Sequence, residues 1–241
     1  MFSHQSFSFL KNLELNNSKN WFEENRQIYQ NHIINPIKDL IDDLDLFIIN
    51  DIDDNLETKP VINKAISRIY RDVRFSNNKL PFKSYIGFNF RRKSSDWKYY
   101  PSFFFRIFPD GYIFGLGVMK NNPEHFSNFR EKIDFDVNGF EEIIKPVFDS
   151  NNGGNINNNC FEILGEDYKK YQFKIDKKKK NYKKISNKSL INIEKLYCKK
   201  NIFIKFSRDK EFYDNHQELV IDIEDKFRKL IGLYKFIKNS F

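Results

Sequence analysis

The chain has 241 residues, 41 Lys and Arg against 33 Asp and Glu, a net charge of +8, 40% apolar residues and 27 Phe. That length admits one large domain or two small ones, with enough apolar material for a core. Gly and Pro are too few for collagen-like or Pro-rich chains, Cys160 and Cys198 lie far outside a CxxC spacing and exclude a disulfide scaffold, and no window approaches the ~18 consecutive apolar residues of a membrane span.

The N-terminal residues lack a basic stretch followed by an apolar run, so no signal peptide is expected. These exclusions predict a soluble intracellular protein, cytoplasmic, or nuclear if the run Lys177-Lys178-Lys179-Lys180 acts as an import signal. The charge is uneven. Residues 1–70 carry 7 basic and 11 acidic side chains, residues 71–100 carry 8 and 2, and residues 169–200 carry 13 and 2. Such local excess draws in anionic partners or forms a solvated lysine face.

Ser3 is placed to cap a first helix with Phe7, Leu10 and Leu13 inward. Asn16-Asn17-Ser18 ends it. Ser18 caps a second helix through Trp21, Phe22, Asn25, Ile28, Tyr29 and His32, with Glu23 and Glu24 near its N-terminus. Pro36 kinks or restarts the helix, since its ring removes a backbone donor. The apolar stripe continues through Ile37, Leu40, Ile41, Leu44 and Phe47 to an acidic loop at 51–59.

The period then changes from 3.6 to 2. Strands are predicted at 65–70, 84–92, 99–108 and 112–119, the last two joined as a hairpin through Pro109-Asp110-Gly111. Gly115 and Gly117 share a strand face and invite a close approach. Helices follow from Pro123, with Phe126, Phe129, Arg130 and Ile133, and from Asp136, with Phe140, Ile143, Ile144 and Val147. Short strands are predicted at 161–164, 171–173 and 202–206, and helices at 189–199 and about 213–238. The last carries Leu219, Ile223, Phe227, Leu230, Ile231 and Tyr234 inward, with Glu218 and Asp222 on an outer face.

Helices, then strands, then helices argue for an α+β fold: an antiparallel sheet of about four or five strands with N- and C-terminal helices packed on it. One domain over 1–241 is expected, with a flexible low-complexity insertion near 150–159 and a lysine-rich loop near 176–188.

Common catalytic and metal signatures do not occur. His4, His32, His125 and His216 are scattered without a zinc spacing, and neither a phosphate-binding glycine loop nor a GxSxG elbow is present. No cofactor and no metal are therefore expected. The concentrated polar chemistry lies at 67–83, where Arg68, Arg71, Arg74, Lys79 and Lys83 surround Asp72 among aromatic residues. One carboxylate cannot neutralise five cations. The excess must face water, helix acids such as Glu23 and Glu24, or an anionic ligand, which guanidinium groups bind bidentately.

Trp21-Phe22, the block Arg68-Ile69-Tyr70-Arg71-Asp72-Val73-Arg74-Phe75-Ser76 with Lys79 and Pro81-Phe82-Lys83, Gly115, Gly117 and Phe129-Arg130 together resemble a widespread family known only as a conserved domain of unknown function. Its hallmark reads R-I-Y-R-D-x-R-F-S-x-x-K-x-P-[YF]-K. The resemblance runs from about Phe7 to the terminal helix and weakens after Ser150, where Lys183-Lys184-Ile185-Ser186-Asn187-Lys188 replaces the family's Lys-Arg-Pro-Pro-Lys-Gly-like segment. It implies a single domain and no named substrate.

The expected function is binding of a phosphate- or carboxylate-bearing small molecule by Arg68, Arg71, Asp72, Arg74, Lys79, Lys83 and Arg130, with Asp72 orienting the arginines. Tyr70, Tyr99 and Tyr100 would line the wall. Two alternatives are a nucleic-acid surface at Arg91, Arg92, Lys93, Trp97, Lys98, Tyr99 and Tyr100, and a non-catalytic interaction protein.

Overall fold

Helix α1 (His4–Leu15) begins at Ser3, whose N–H donates to Ser6 Oγ at 2.9 Å. Ser6 in turn donates to the His32 carbonyl at 2.6 Å, so the first turn is tied to a later helix. The computed structural model describes residues 1–148, 161–178 and 183–241. The expected insertion at 150–159 and residues 179–182 of the lysine-rich loop, with half of the Lys177–Lys180 run, lie outside the described residues.

Ser18 caps α2 (Lys19–Glu24) by accepting from Trp21 N–H at 3.3 Å. The predicted second helix breaks at Asn25, and α3 (Arg26–Tyr29) follows. A π-helical turn over Gln30–Ile34 then leads into α4 (Asn35–Phe47), and a second one covers Ile48–Ile52. The first turn shows how the chain absorbs Pro36. Asn35 N–H reaches five residues back to Gln30 O, which widens the helix just before the ring that lacks a donor. The expected loop at 51–59 therefore starts two residues later, after Ile52.

Five strands form one antiparallel sheet in the order β1-β2-β3-β5-β4. They are β1 (Ile86–Phe90), β2 (Ser102–Phe108), β3 (Gly111–Gly117), β4 (Glu162–Leu164) and β5 (Phe203–Asp209). The fold is α+β. Helices α5 (Pro123–Phe135), α6 (Val137–Phe148), α7 (Asn187–Tyr197) and α8 (His216–Lys238) complete the described elements. The hairpin through Asp110-Gly111 forms as its turn signal requires. Residues 171–173 form no strand, and residues 65–70 make only isolated bridges.

The chain divides into two compact units. The first comprises Met1–Lys93, Phe104–Phe114 and Ser207–Glu224; the second comprises Ser94–Phe103, Gly115–Phe206 and Asp225–Phe241. In the first, Phe2 stacks on Phe105 at 5.8 Å and Phe88 on Phe105 at 5.3 Å, with Leu10, Leu13, Ile37, Leu40, Ile41 and Leu44 fully buried. In the second, Phe103 meets Phe227 at 4.7 Å, and Phe140 meets Phe236 at 4.7 Å. Gly115 is required by packing: a Cβ there would lie 1.9 Å from the Ile204 carbonyl oxygen. The close approach that Gly115 and Gly117 foreshadow is thus made by β5.

Asp222 departs from its expected outer position. It accepts from Arg208 Nε at 2.9 Å and from the Tyr213 hydroxyl at 2.7 Å, and the side chains of the ion pair are 2% and 15% exposed. Arg208 ends a buried position of β5 and needs a carboxylate, which explains why an acid faces inward on α8. Along the same helix Leu219, Ile223, Phe227, Leu230 and Tyr234 are buried as expected; Ile231 is only half-buried, and Val220, Leu233 and Ile237 extend the inward stripe.

Candidate functional site: the basic block of the first unit

The block at 67–83 is held from both sides. Asn17 clamps its far end: its Nδ2 donates to Phe82 O and its Oδ1 accepts from Phe82 N–H, both at 3.0 Å. The Phe82 ring stacks on Phe22 at 4.4 Å and lies 4.9 Å from Tyr70. An Asn in the turn after α1 and a Phe on α2 thereby fix where the block sits. Residues 65–71 run antiparallel to 81–89, bridged at Ile66–Phe88 and Tyr70–Phe82. Four steps on one side face six on the other. The two extra residues bulge out, interrupt the ladder, and leave 65–70 short of the strand that alternation predicts.

The cations of the block have different fates. Arg74 forms a fork with Asp72, Nε to Oδ1 at 2.9 Å and Nη2 to Oδ2 at 2.7 Å. Both side chains are exposed, 76% and 59%. The hydrogen bonds from Arg74 hold the Asp72 carboxyl well below its usual range, at about 2. Lys79 Nζ donates to Val73 O at 3.0 Å, and Lys83 Nζ to Arg68 O at 2.8 Å. The side chains of Arg68 and Arg71 form neither hydrogen bonds nor ion pairs with described residues. Glu23 pairs with Arg26 at 2.8 Å, and neither Glu23 nor Glu24 forms an ion pair with the block.

Arg106 joins this group, and sequence reasoning missed it. It lies on β2, where Phe103, Phe105 and Ile107 point into the core. Its guanidinium donates to Phe88 O and Phe105 O, each at 2.6 Å, and to Asn89 Oδ1 at 2.8 Å. Neutral carbonyl oxygens accept from three of its N–H groups and carry no charge to match it, and burial drops its pKa to about 10. The one available signal was a lone arginine at a period-2 position between phenylalanines.

Lys83 reports the field of the cluster. Its pKa is pushed down first by burial, then by the like charges of Arg106, Arg68 and Arg71. Tyr85 stacks on Phe108 at 5.0 Å and lies under Lys83, whose Nζ is 5.9 Å from the ring centroid. Lys83 thus lies within electrostatic reach of Arg68, Arg71 and Arg106, with Tyr85 beside it, whereas Tyr70 packs on Phe22 and Phe82. Arg74 is spent on Asp72. Phe75 is 96% exposed, with the Arg74 guanidinium 5.9 Å from its ring centroid, and Leu80 is also open to solvent.

Arg130 belongs to the second unit, on α5, where its guanidinium packs 3.9 Å from the Tyr171 ring centroid. The aromatic-basic stretch from Arg91 is divided between the units. In the first, Arg91 Nη2 donates to Asn63 O at 3.0 Å and Lys93 Nζ to Asp54 O at 3.0 Å. In the second, Trp97, Lys98 and Tyr99 form one 3-10 turn. Among the described residues no group of three or more His, Cys, Asp or Glu could hold a metal, and no helix is long and apolar enough to cross a membrane.

The model of a family described as "Conserved hypothetical protein (DUF2461)" matches residues 5–236. The chain belongs to that family. No curated protein and no solved structure matches it.

Proposed function

We propose that this member of the DUF2461 family binds a small molecule bearing a phosphate or carboxylate group at the cluster of Arg68, Arg71, Lys83 and Arg106. One observation carries the reading: Lys83, its pKa lowered first by burial and then by the like charges of Arg106, Arg68 and Arg71, shares with them no ion pair to a carboxylate among the described residues, and Asp72, forked to Arg74, acts on Arg68 only at longer range. A set of cations kept together at an electrostatic cost is stabilised when an oxyanion enters. Arg68 and Arg71 supply planar donors for two oxygens, Lys83 supplies a point charge, and Arg106 supplies a fixed field from its carbonyl cradle. Asp72 orients Arg74 at the edge. With its pKa near 2 it is always ionised near neutrality and has little basicity, so an acid-base role is disfavoured. The nucleic-acid reading has less support, because the Arg91 pKa is lowered by burial without any like charge and Glu57 acts on it in the opposite direction, so no repelled set of cations is found there.

A thermal-shift screen of phosphorylated and carboxylated metabolites tests the reading. A ligand at 100 times its dissociation constant adds ~2.7 kcal/mol to stability. The same ligand should add far less to a variant carrying Arg68→Gln and Arg71→Gln. Equal shifts in both proteins would remove the cluster as the site.

A further inference from the structure

Arg130 is a buried cation with no ion-pair partner among the described residues. The residue is 4% exposed, and its Nη1 is enclosed with no hydrogen-bond acceptor. No described carboxylate forms an ion pair with it. Asp134 stands one turn along α5, where an i,i+4 pair would be natural, but its Oδ2 accepts from the Tyr197 hydroxyl at 2.9 Å instead. Tyr171 covers a face of the guanidinium at 3.9 Å, and Tyr168 lies at 5.1 Å. Aromatic faces offset part of a cation's charge. They supply no lone pair to N–H groups, which lie in the guanidinium's own plane. A donor removed from water without an acceptor, as Nη1 is, is disfavoured unless an acceptor arrives.

The walls around Arg130 are built and fixed. Tyr168 donates its hydroxyl to Asn121 Oδ1 at 3.0 Å and its backbone N–H to Cys198 O at 2.7 Å. Cys198 Sγ donates to Tyr171 O at 3.2 Å, which ties the second ring to the end of α7. A second cation is close: Lys200 Nζ is 5.7 Å from the Tyr168 ring, with Glu166 at 3.6 Å its recorded ion-pair partner. Arg130 also acts electrostatically on Tyr197, whose pKa is raised to about 12 mainly by burial.

We propose that Arg130 anchors a second binding site, for a small oxyanion gripped edge-on by the guanidinium between the pinned rings of Tyr168 and Tyr171. The occupant is a phosphate or carboxylate group, alone or as the end of a small molecule, because its charged oxygens are the acceptors that the in-plane guanidinium donors lack. The site uses no residue of the Arg68–Arg106 cluster and stands or falls independently of it.

The test observes the arginine side-chain nitrogen resonances of the full chain by NMR. Inorganic phosphate and acetate are titrated separately at constant ionic strength. At least one of them is expected to shift the Arg130 resonance saturably, and the more effective anion identifies the source chemistry. Arg130→Lys keeps the charge and loses the fork, so it should weaken that binding by about tenfold or more. Arg71→Gln should leave the Arg130 response unchanged. If neither anion moves the Arg130 signal beyond a non-saturating drift, the donors are met by water and the proposal is overturned. Loss of the Arg130 response in Arg71→Gln would overturn it too. Should Arg130→Lys fail to fold, the wild-type resonance alone decides.

Discussion

Arg208 and Lys83 are both cations of the first unit, and they are treated in opposite ways. Arg208 is sealed against Asp222, with Tyr213 completing the carboxylate's hydrogen bonds. Lys83 is half-buried among Arg68, Arg71 and Arg106, with a backbone carbonyl as its acceptor. The first arrangement is complete within the chain, as a structural ion pair must be. The second is complete only in its hydrogen bonds and not in its charge. The contrast separates a cation whose charge is matched within the fold from cations whose charge is not, which is the basis for proposing a ligand at the second group.

Breaking Arg208 from its partner should have the largest effect. Asp222→Ala leaves a buried guanidinium uncompensated and should cost about 3–5 kcal/mol in denaturant unfolding. A loss near zero would mean that Arg208 is not dependent on its carboxylate, and the contrast would collapse. Lys83→Met should behave differently. It removes one hydrogen bond and one repelled charge together, so stability should change by no more than about 1 kcal/mol. The same substitution should cut deeply into the ~2.7 kcal/mol that a bound anion at 100 times its dissociation constant contributes. A Lys83→Met protein that unfolds like Asp222→Ala would place Lys83 in the structural class.

The smallest effect concerns Asp72. Its folded pKa lies below the ordinary aspartate value of 3.8, so its contribution to stability is present above that value and is lost as pH falls through about 2. Solvent screens this exposed pair, so the readout is the titration itself and not the unfolding curve. Carboxyl NMR should give a midpoint near 2 in the wild type, moving toward 3.8 in Arg74→Gln. An unchanged midpoint would show that Arg74 is not Asp72's partner and would return it to the cluster.

The sequence reveals the α+β order, the β2–β3 hairpin and most helix starts, because capping residues, period-2 runs and the Asp110-Gly111 turn act locally. It does not reveal the two π-helical turns, which depend on how Pro36 and the end of α4 are accommodated along the helix. It does not reveal the bulge opposite 66–70, because register is a property of two segments at once. The basic block was legible as a surplus of charge. Which of its members were spent was not: Arg74 found Asp72 two residues away, while Arg68 and Arg71 form no ion pair. Arg106 was hidden because its role depends on the carbonyls of Phe88 and Phe105, and Asp222 because its partner lies on β5.

The Lys83 side chain offers the most direct measurement. Its ¹³Cε signal should titrate below the ordinary lysine value of 10.5, and inorganic phosphate should move the midpoint back up as the anion offsets Arg68, Arg71 and Arg106. A Lys83 midpoint indistinguishable from that of exposed lysines, or one untouched by phosphate and by every anion that stabilises the protein, would contradict an anion site at this cluster.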